Sequence, residues 1–221
     1  MEINNSIIKH YLKNVFFING TAYAGKSTMV KLLAEKYGLL FCGENYDCIP
    51  ENILTPEKYP NLCYFQTMTD WQEFIGRTPR EYSNWITGTS RELVEFEISY
   101  LMSASQTQRV IVDTNIPPEI LHEIADYNQV AVMLSPQSMS VEQFFDREDE
   151  DKVFLKEQIA MAENPEKAMA NFLACLSEIN SRRVYDNWAT SGFFTVVREN
   201  TEADTKAETL ELLAKHFNLI S

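Results

Sequence analysis

The sequence predicts an α/β domain built on a five-stranded parallel sheet with helices on both faces. Three observations predict it. Five short apolar runs, residues 15–19, 39–42, 109–113, 130–134 and 193–197, have the length of buried strands. A helical stretch follows each run, so successive strands are joined by crossovers, which makes the sheet parallel and covers both its faces. The chain has 221 residues, 45% of them hydrophobic, which suits one core and a single domain. The crossovers are expected to be right-handed, and a ligand to lie at the carboxyl ends of the strands.

The elements follow in order. After the first strand, residues 26–37 have helical spacing, and Gly38 fits a C-terminal stop. The second strand, 39–42, leads into an irregular segment, 44–79, with prolines at 50, 56, 60 and 79 and one helix at 68–75. Residues 80–104 read as a long helix, weakened around Gly88, with apolar positions Leu93, Phe96, Ile98, Tyr100 and Leu101. The third strand has VIVD at its core, and a helix at 117–127 opens on proline. The fourth strand precedes helices at 141–145, 152–162 and 166–187. The fifth strand and an amphipathic helix at 203–217 close the chain.

Charge and composition narrow the function classes. The formal net charge is −13, from 32 acidic against 19 basic residues. A nucleic acid would meet long-range repulsion, so none is expected as a partner. Cys42, Cys48, Cys63 and Cys175 form no CxxC pair, and no zinc spacing is present, which points to free thiols in a reducing compartment. The N-terminal region lacks a signal-peptide pattern, and no run of about 18 apolar residues exists, so a soluble, cytoplasmic protein without a membrane span is expected. Oligomeric state is left open.

One motif carries chemistry. Gly20-Thr21-Ala22-Tyr23-Ala24-Gly25-Lys26-Ser27-Thr28 matches G-x-x-x-x-G-K-[ST], between an apolar strand and a helix. Glycine at 20 and 25 allows torsions and close approach that a Cβ obstructs. Successive N–H groups then face one concavity, and the helix adds its positive N-terminal end. Lys26 reaches the β- and γ-phosphates of a nucleoside triphosphate, and the Ser27 hydroxyl joins a Mg²⁺ shell. By chance, a chain of this length matches the motif roughly 1% of the time.

The loop at 20–28, its early position and the VIVDTN ending of the third strand resemble the P-loop kinases of small metabolites, a group that includes nucleoside and nucleotide kinases, shikimate kinases and chloramphenicol phosphotransferase. The resemblance implies a P-loop NTPase fold of the nucleotide kinase-like kind, with an acceptor-binding segment at about 44–105 and a lid at about 140–163. It implies ATP and Mg²⁺, and transfer of the γ-phosphate to a small hydroxylated acceptor, a nucleoside or nucleotide being the first choice. An acid just after the second strand is expected to take the acceptor hydroxyl's proton; Glu44 and Asp47 are the candidates, though such residues are also common in plain loops. Asp113 is expected to orient Mg²⁺-bound water or touch substrate, or simply to cap the next helix. Thr114 and Asn115 follow it towards substrate. In the lid, Arg147 is expected to close over the γ-phosphate, the alternative being an ion pair on a solvated face. These lids carry several arginines in nucleotide kinases, and this one holds a single Arg beside Lys152. Arg182 or Arg183 is expected to reach the nucleotide, or else to pair with a helix C-terminus. Arg77 and Arg80 are the partners for an anionic acceptor. The aromatics Tyr64, Phe65, Trp71, Phe74, Tyr82 and Trp85 form core or line a ring pocket.

Other classes are less favoured. A GTPase switch needs N-K-x-D and a D-x-x-G after the third strand, and neither occurs. A mechanical ATPase usually ends that strand in Asp-Glu, whereas Thr114 follows Asp113 here. A non-kinase P-loop ATPase and a nucleotide-binding sensor remain the alternatives.

Overall fold

The computed structural model describes residues 4–44, 46–146, 149–199 and 204–220. Helix α1, Asn5–Tyr11, comes first, its end capped by the Asn4 side chain, which accepts from the Ser6 N–H. Strand β1, Val15–Gly20, leads through the glycine loop into α2, Lys26–Tyr37, which stops at Gly38 with φ 63°. Strand β2 is Leu40–Cys42.

The single helix expected at 68–75 is two short ones, α3 Tyr64–Thr67 and α4 Trp71–Ile75. Met68 turns extended between them, and Asp70 caps α4 by accepting from Gln72 and Glu73. Helix α5, Pro79–Ala104, starts on a Thr78–Glu81 capping box with proline in its first turn. It runs unbroken past Gly88, where weakness is expected from sequence. The missing side chain admits Asn61, which an added Cβ would meet at 2.5 Å. Glu92, one turn on, accepts from the backbone N–H groups of Asn61 and Leu62.

Strand β3, Val110–Asp113, precedes α6, Pro118–Ile124, shorter than expected because Asp126 and Gln129 cap a separate turn at Tyr127–Gln129. Strand β4 is Val130–Leu134. Then come α7 Gln137–Glu142, a turn at Phe144–Asp146, and α8 Glu150–Ala160. The long helix expected at 166–187 is divided into α9, Pro165–Ile179, and α10, Arg182–Ala189. Ser181 between them is extended, and the Asn180 side chain turns back to donate to the Leu176 carbonyl. Strand β5, Phe194–Val197, and α11, Lys206–His216, complete the chain.

All five strands are parallel, in the order β2-β3-β1-β4-β5. Side chains alternate between the two faces of the central strand. Val15 and Phe17 join Val94 and Leu101 of α5 and Leu121 of α6 in one core, while Phe16 and Ile18 join Val30 and Leu33 of α2 and Leu213 of α11 in the other. The sheet is therefore covered on both faces. A third cluster, around Phe74, Tyr82, Ile159 and Phe172, packs α4, the start of α5, α8 and α9 together away from the sheet. No helix among the described residues is long and apolar enough to cross a membrane.

Candidate functional site

β1 and β3 are neighbours whose chains leave in opposite directions, α2 towards β2 and α6 towards β4. The glycine loop lies at this switch point, on the carboxyl edge of the sheet. Gly20 has φ 128°, and a Cβ there would overlap the Met133 carbonyl oxygen of β4. The close approach lets the Thr21 N–H donate to that carbonyl at 3.0 Å. The Thr21 hydroxyl accepts from the Ser135 N–H at 2.8 Å, and the Ser135 hydroxyl donates to the Ala22 carbonyl at 2.6 Å. Gly25 has φ 89° and turns the chain into α2 without a side-chain cap. The backbone N–H groups of Ala24, Gly25, Lys26 and Ser27 make no hydrogen bond within the described residues. They are the unfilled donors of a helix start, the arrangement that binds anionic oxygens.

Tyr23 also has a positive φ, 63°, a conformation costly for an aromatic residue. Contacts from three directions hold it. Its hydroxyl donates towards the Gln143 and Phe144 carbonyls at 3.2 and 3.1 Å, and Lys152 Nζ approaches that hydroxyl at 3.4 Å. Its own carbonyl accepts from the Arg198 guanidinium at 2.9 Å. The segment expected as a lid thus touches the loop directly through Tyr23.

Lys26 is 9% exposed; its Nζ donates to the Thr21 carbonyl at 3.2 Å and lies 4.0 Å from Asp113. The Ser27 hydroxyl donates to Asp113 at 2.7 Å. Burial pushes the Asp113 carboxyl above its ordinary range; Lys26 and Ser27 oppose the shift and the charge of Glu44 adds to it. A cation, a hydroxyl and a carboxylate therefore converge from α2 and β3 at the mouth of the loop. Among the described residues no three His, Cys, Asp or Glu side chains cluster as a metal centre. Ser27 and Asp113 offer two oxygens, a number that could serve Mg²⁺ where phosphates and waters complete its shell.

A second carboxylate stands behind this group. Glu97 of α5 is buried, and one of its oxygens has no partner. Burial raises its pKa to about 7; the Asp113 charge adds to this, while the neighbouring Thr114 hydroxyl opposes it. The ordinary value is 4.5, so the fold favours the protonated acid. Stability from this group is full below pH 4.5 and is lost as pH rises through about 7. A shift of that size corresponds to roughly 3 kcal/mol. Glu97→Gln is expected to remove the loss, so that the variant gains stability over wild type at pH 8 but not at pH 4.5; urea titrations at the two pH values check it. Burial, aided by the Glu97 charge, also pushes the Cys42 thiol up to about 12 and Cys48 up to about 11, so neither supplies a thiolate near neutral pH.

Comparison of the chain with protein-family models, curated proteins and solved structures finds no match.

The remaining candidates are placed as follows. Glu44 and Asp47 follow β2 and are exposed, and Glu44 is near enough to raise the Asp113 pKa. Asn115 and Thr28 are exposed at the same edge. Arg147 lies outside the described residues. Arg182 and Arg183 open α10 rather than ending a helix; Arg182 pairs with Asp186 at 2.8 Å and Arg183 approaches Glu178 at 3.9 Å, both largely exposed. The Arg77 guanidinium stacks 3.5 Å from the Tyr64 ring, beside Trp85 and Phe74, at a surface cavity of about 440 Å³ that Glu73, Glu81 and Asn84 also line. Arg80 is exposed in the first turn of α5. Along that helix it is about 26 Å from Glu97 at a rise of ~1.5 Å per residue. The aromatics at 64–85 form a packed cluster of tilted and edge-to-face rings.

Sequence reasoning missed Glu97, Tyr46 and Arg198. Glu97 interrupts the apolar stripe of α5, between Val94 and Leu101, which is a legible signal. Arg198 directly follows β5, on the sheet edge where ligands lie. Tyr46, in an irregular segment, left no pattern to find.

Proposed function

We propose that this protein is an ATP-dependent phosphotransferase with a P-loop kinase fold, acting on a small hydroxylated metabolite. The observation that carries the proposal is the convergence of Lys26, Ser27 and Asp113 on a loop whose N–H groups at 24–27 are unfilled. The strand order, with the loop-bearing strand central, supports the fold assignment.

The residues divide the work. The loop N–H groups and Lys26 hold the β- and γ-phosphates and neutralise charge that spreads as the γ-phosphoryl leaves. Ser27 and Asp113 would hold Mg²⁺, which when bound draws charge from the phosphate oxygens. Arg198, exposed and anchored to the loop at Tyr23, lies where it can meet the nucleotide. Glu44 or Asp47 takes the proton of the attacking hydroxyl. The packed wall around Glu97 keeps water from the acceptor side of the transfer.

A screen with γ-labelled ATP against nucleosides, nucleotides, shikimate-like acids and sugars tests the proposal. Label is expected in one acceptor class, dependent on Mg²⁺. Hydrolysis with no acceptor labelled would favour a P-loop ATPase, and tight ATP binding without turnover a nucleotide sensor.

A further inference from the structure

Two polar atoms near the loop are buried without a partner among the described residues: one carboxylate oxygen of Glu97, Oε1, and the phenolic oxygen of Tyr46. Glu97 is 3% exposed and lies on the inner face of α5, between buried Val94 and Leu101. Tyr100, three residues on, shares that face. The Tyr46 ring lies 5.2 Å from the Tyr100 ring, which brings Tyr46, from the segment after β2, against the same face. Thr114, beside Glu97, directly follows Asp113, the residue that accepts from Ser27. An unpaired acceptor thus lies beside Asp113, and an unpaired donor lies against the same face of α5. No ion pair among the described residues includes Glu97. Leaving such groups buried and unpaired is destabilising, and phenylalanine and an apolar residue would avoid it.

We infer that Glu97 and Tyr46 bind a hydroxyl of the phosphate acceptor other than the one that is phosphorylated. The inference rests on the phosphotransfer reading and narrows its acceptor. A hydroxyl donates to Glu97 and accepts from Tyr46 with one atom. An ammonium cannot accept from the phenol, and an ionised carboxylate or phosphate has no proton to donate to Glu97. The acceptor is therefore a polyol rather than a simple alcohol.

The test uses wild type, Tyr46→Phe and Glu97→Gln at pH 8. Tyr46→Phe removes only an unpaired hydroxyl, so folding is spared. Label transfer from ATP is measured to ribose, adenosine, glycerol and shikimate and to a deoxy analogue of each. Binding of the same compounds, with a non-hydrolysable ATP analogue and Mg²⁺ present, is measured by saturation-transfer NMR. For the accepted polyol, KM is expected to rise about tenfold or more in each variant and for the deoxy analogue, with a smaller change in kcat and unaltered ATP affinity. The inference is overturned if both variants keep the wild-type KM and merely melt at higher temperature, if deoxy analogues bind as well as their parents, or if no polyol binds. A polyol that binds with this sensitivity but takes no label would sustain the hydroxyl site and sink the phosphotransfer reading alone.

Discussion

Lys26→Ala is expected to lower turnover by about a thousandfold, roughly 4 kcal/mol of transition-state stabilisation, while the protein stays folded. Lys26 is nearly buried, yet among the described residues its ammonium has only the Thr21 carbonyl within hydrogen-bond distance and Asp113 at 4.0 Å. A lysine held this loosely is in reach of a stronger partner, and triphosphate oxygens are such a partner. Its loss also leaves Asp113 with Ser27 as the remaining contact that favours the charged form, so the Asp113 pKa should climb further. The carboxylate proposed to hold Mg²⁺ then weakens at neutral pH together with the proposed phosphate contact. Steady-state kinetics with the labelled-ATP assay, beside circular dichroism of the variant, separate lost chemistry from lost fold. Turnover within tenfold of wild type would remove Lys26 from the mechanism.

Gly20→Ala is expected to be the most damaging small substitution in the chain. Its φ of 128° is outside the range an alanine adopts comfortably, and the new Cβ would overlap a backbone carbonyl of β4, which cannot swing aside as a side chain can. Relief requires β1 and β4 to part where Gly20 pairs with Met133. A loss of about 3 kcal/mol or more follows, equivalent to roughly 6–12 °C in melting temperature for a chain this long. Gly38→Ala is the matched control. Gly38 also has a positive φ, 63°, but nothing lies within 4 Å of the added Cβ, so about 1 kcal/mol is expected. Thermal melts of the two variants compare crowding with torsional strain alone, and equal losses would mean that close packing at Gly20 contributes nothing.

The three central strands were legible because they are buried on both faces. Runs such as VIV and VAVML carry no polar interruption, and the bounds of β4 and α2 are those expected. The loop was legible because its glycines are dictated by backbone geometry that only glycine meets cheaply. Connections were less legible, since their breaks depend on local side chains: Asp70 caps α4, Ser181 opens α10, and Asn61 fits the gap at Gly88 that sequence alone reads as a weakness. The N-terminal helix was missed because α1 is seven residues long, too short for periodicity to declare it. Glu97 and Tyr46 escaped for a different reason. Their meeting is a product of the fold, which brings Glu97 beside Asp113, 16 residues on in the chain, and sets Tyr46 of the segment after β2 against Tyr100 of α5. Arg77 shows the opposite case: its charge is plain in the sequence, while the contact of its guanidinium with the Tyr64 ring, 3.5 Å from the centroid, is a product of the fold.

Calorimetric titration of the wild-type protein with ATP, with and without Mg²⁺, tests most directly whether the loop at 20–28 is a triphosphate site. Saturable one-to-one binding in the micromolar range, stronger with Mg²⁺ and at least about a hundredfold weaker in Lys26→Ala, is expected. No heat and no competition by ADP in folded wild-type protein, or an affinity that Lys26→Ala leaves unchanged, would contradict it.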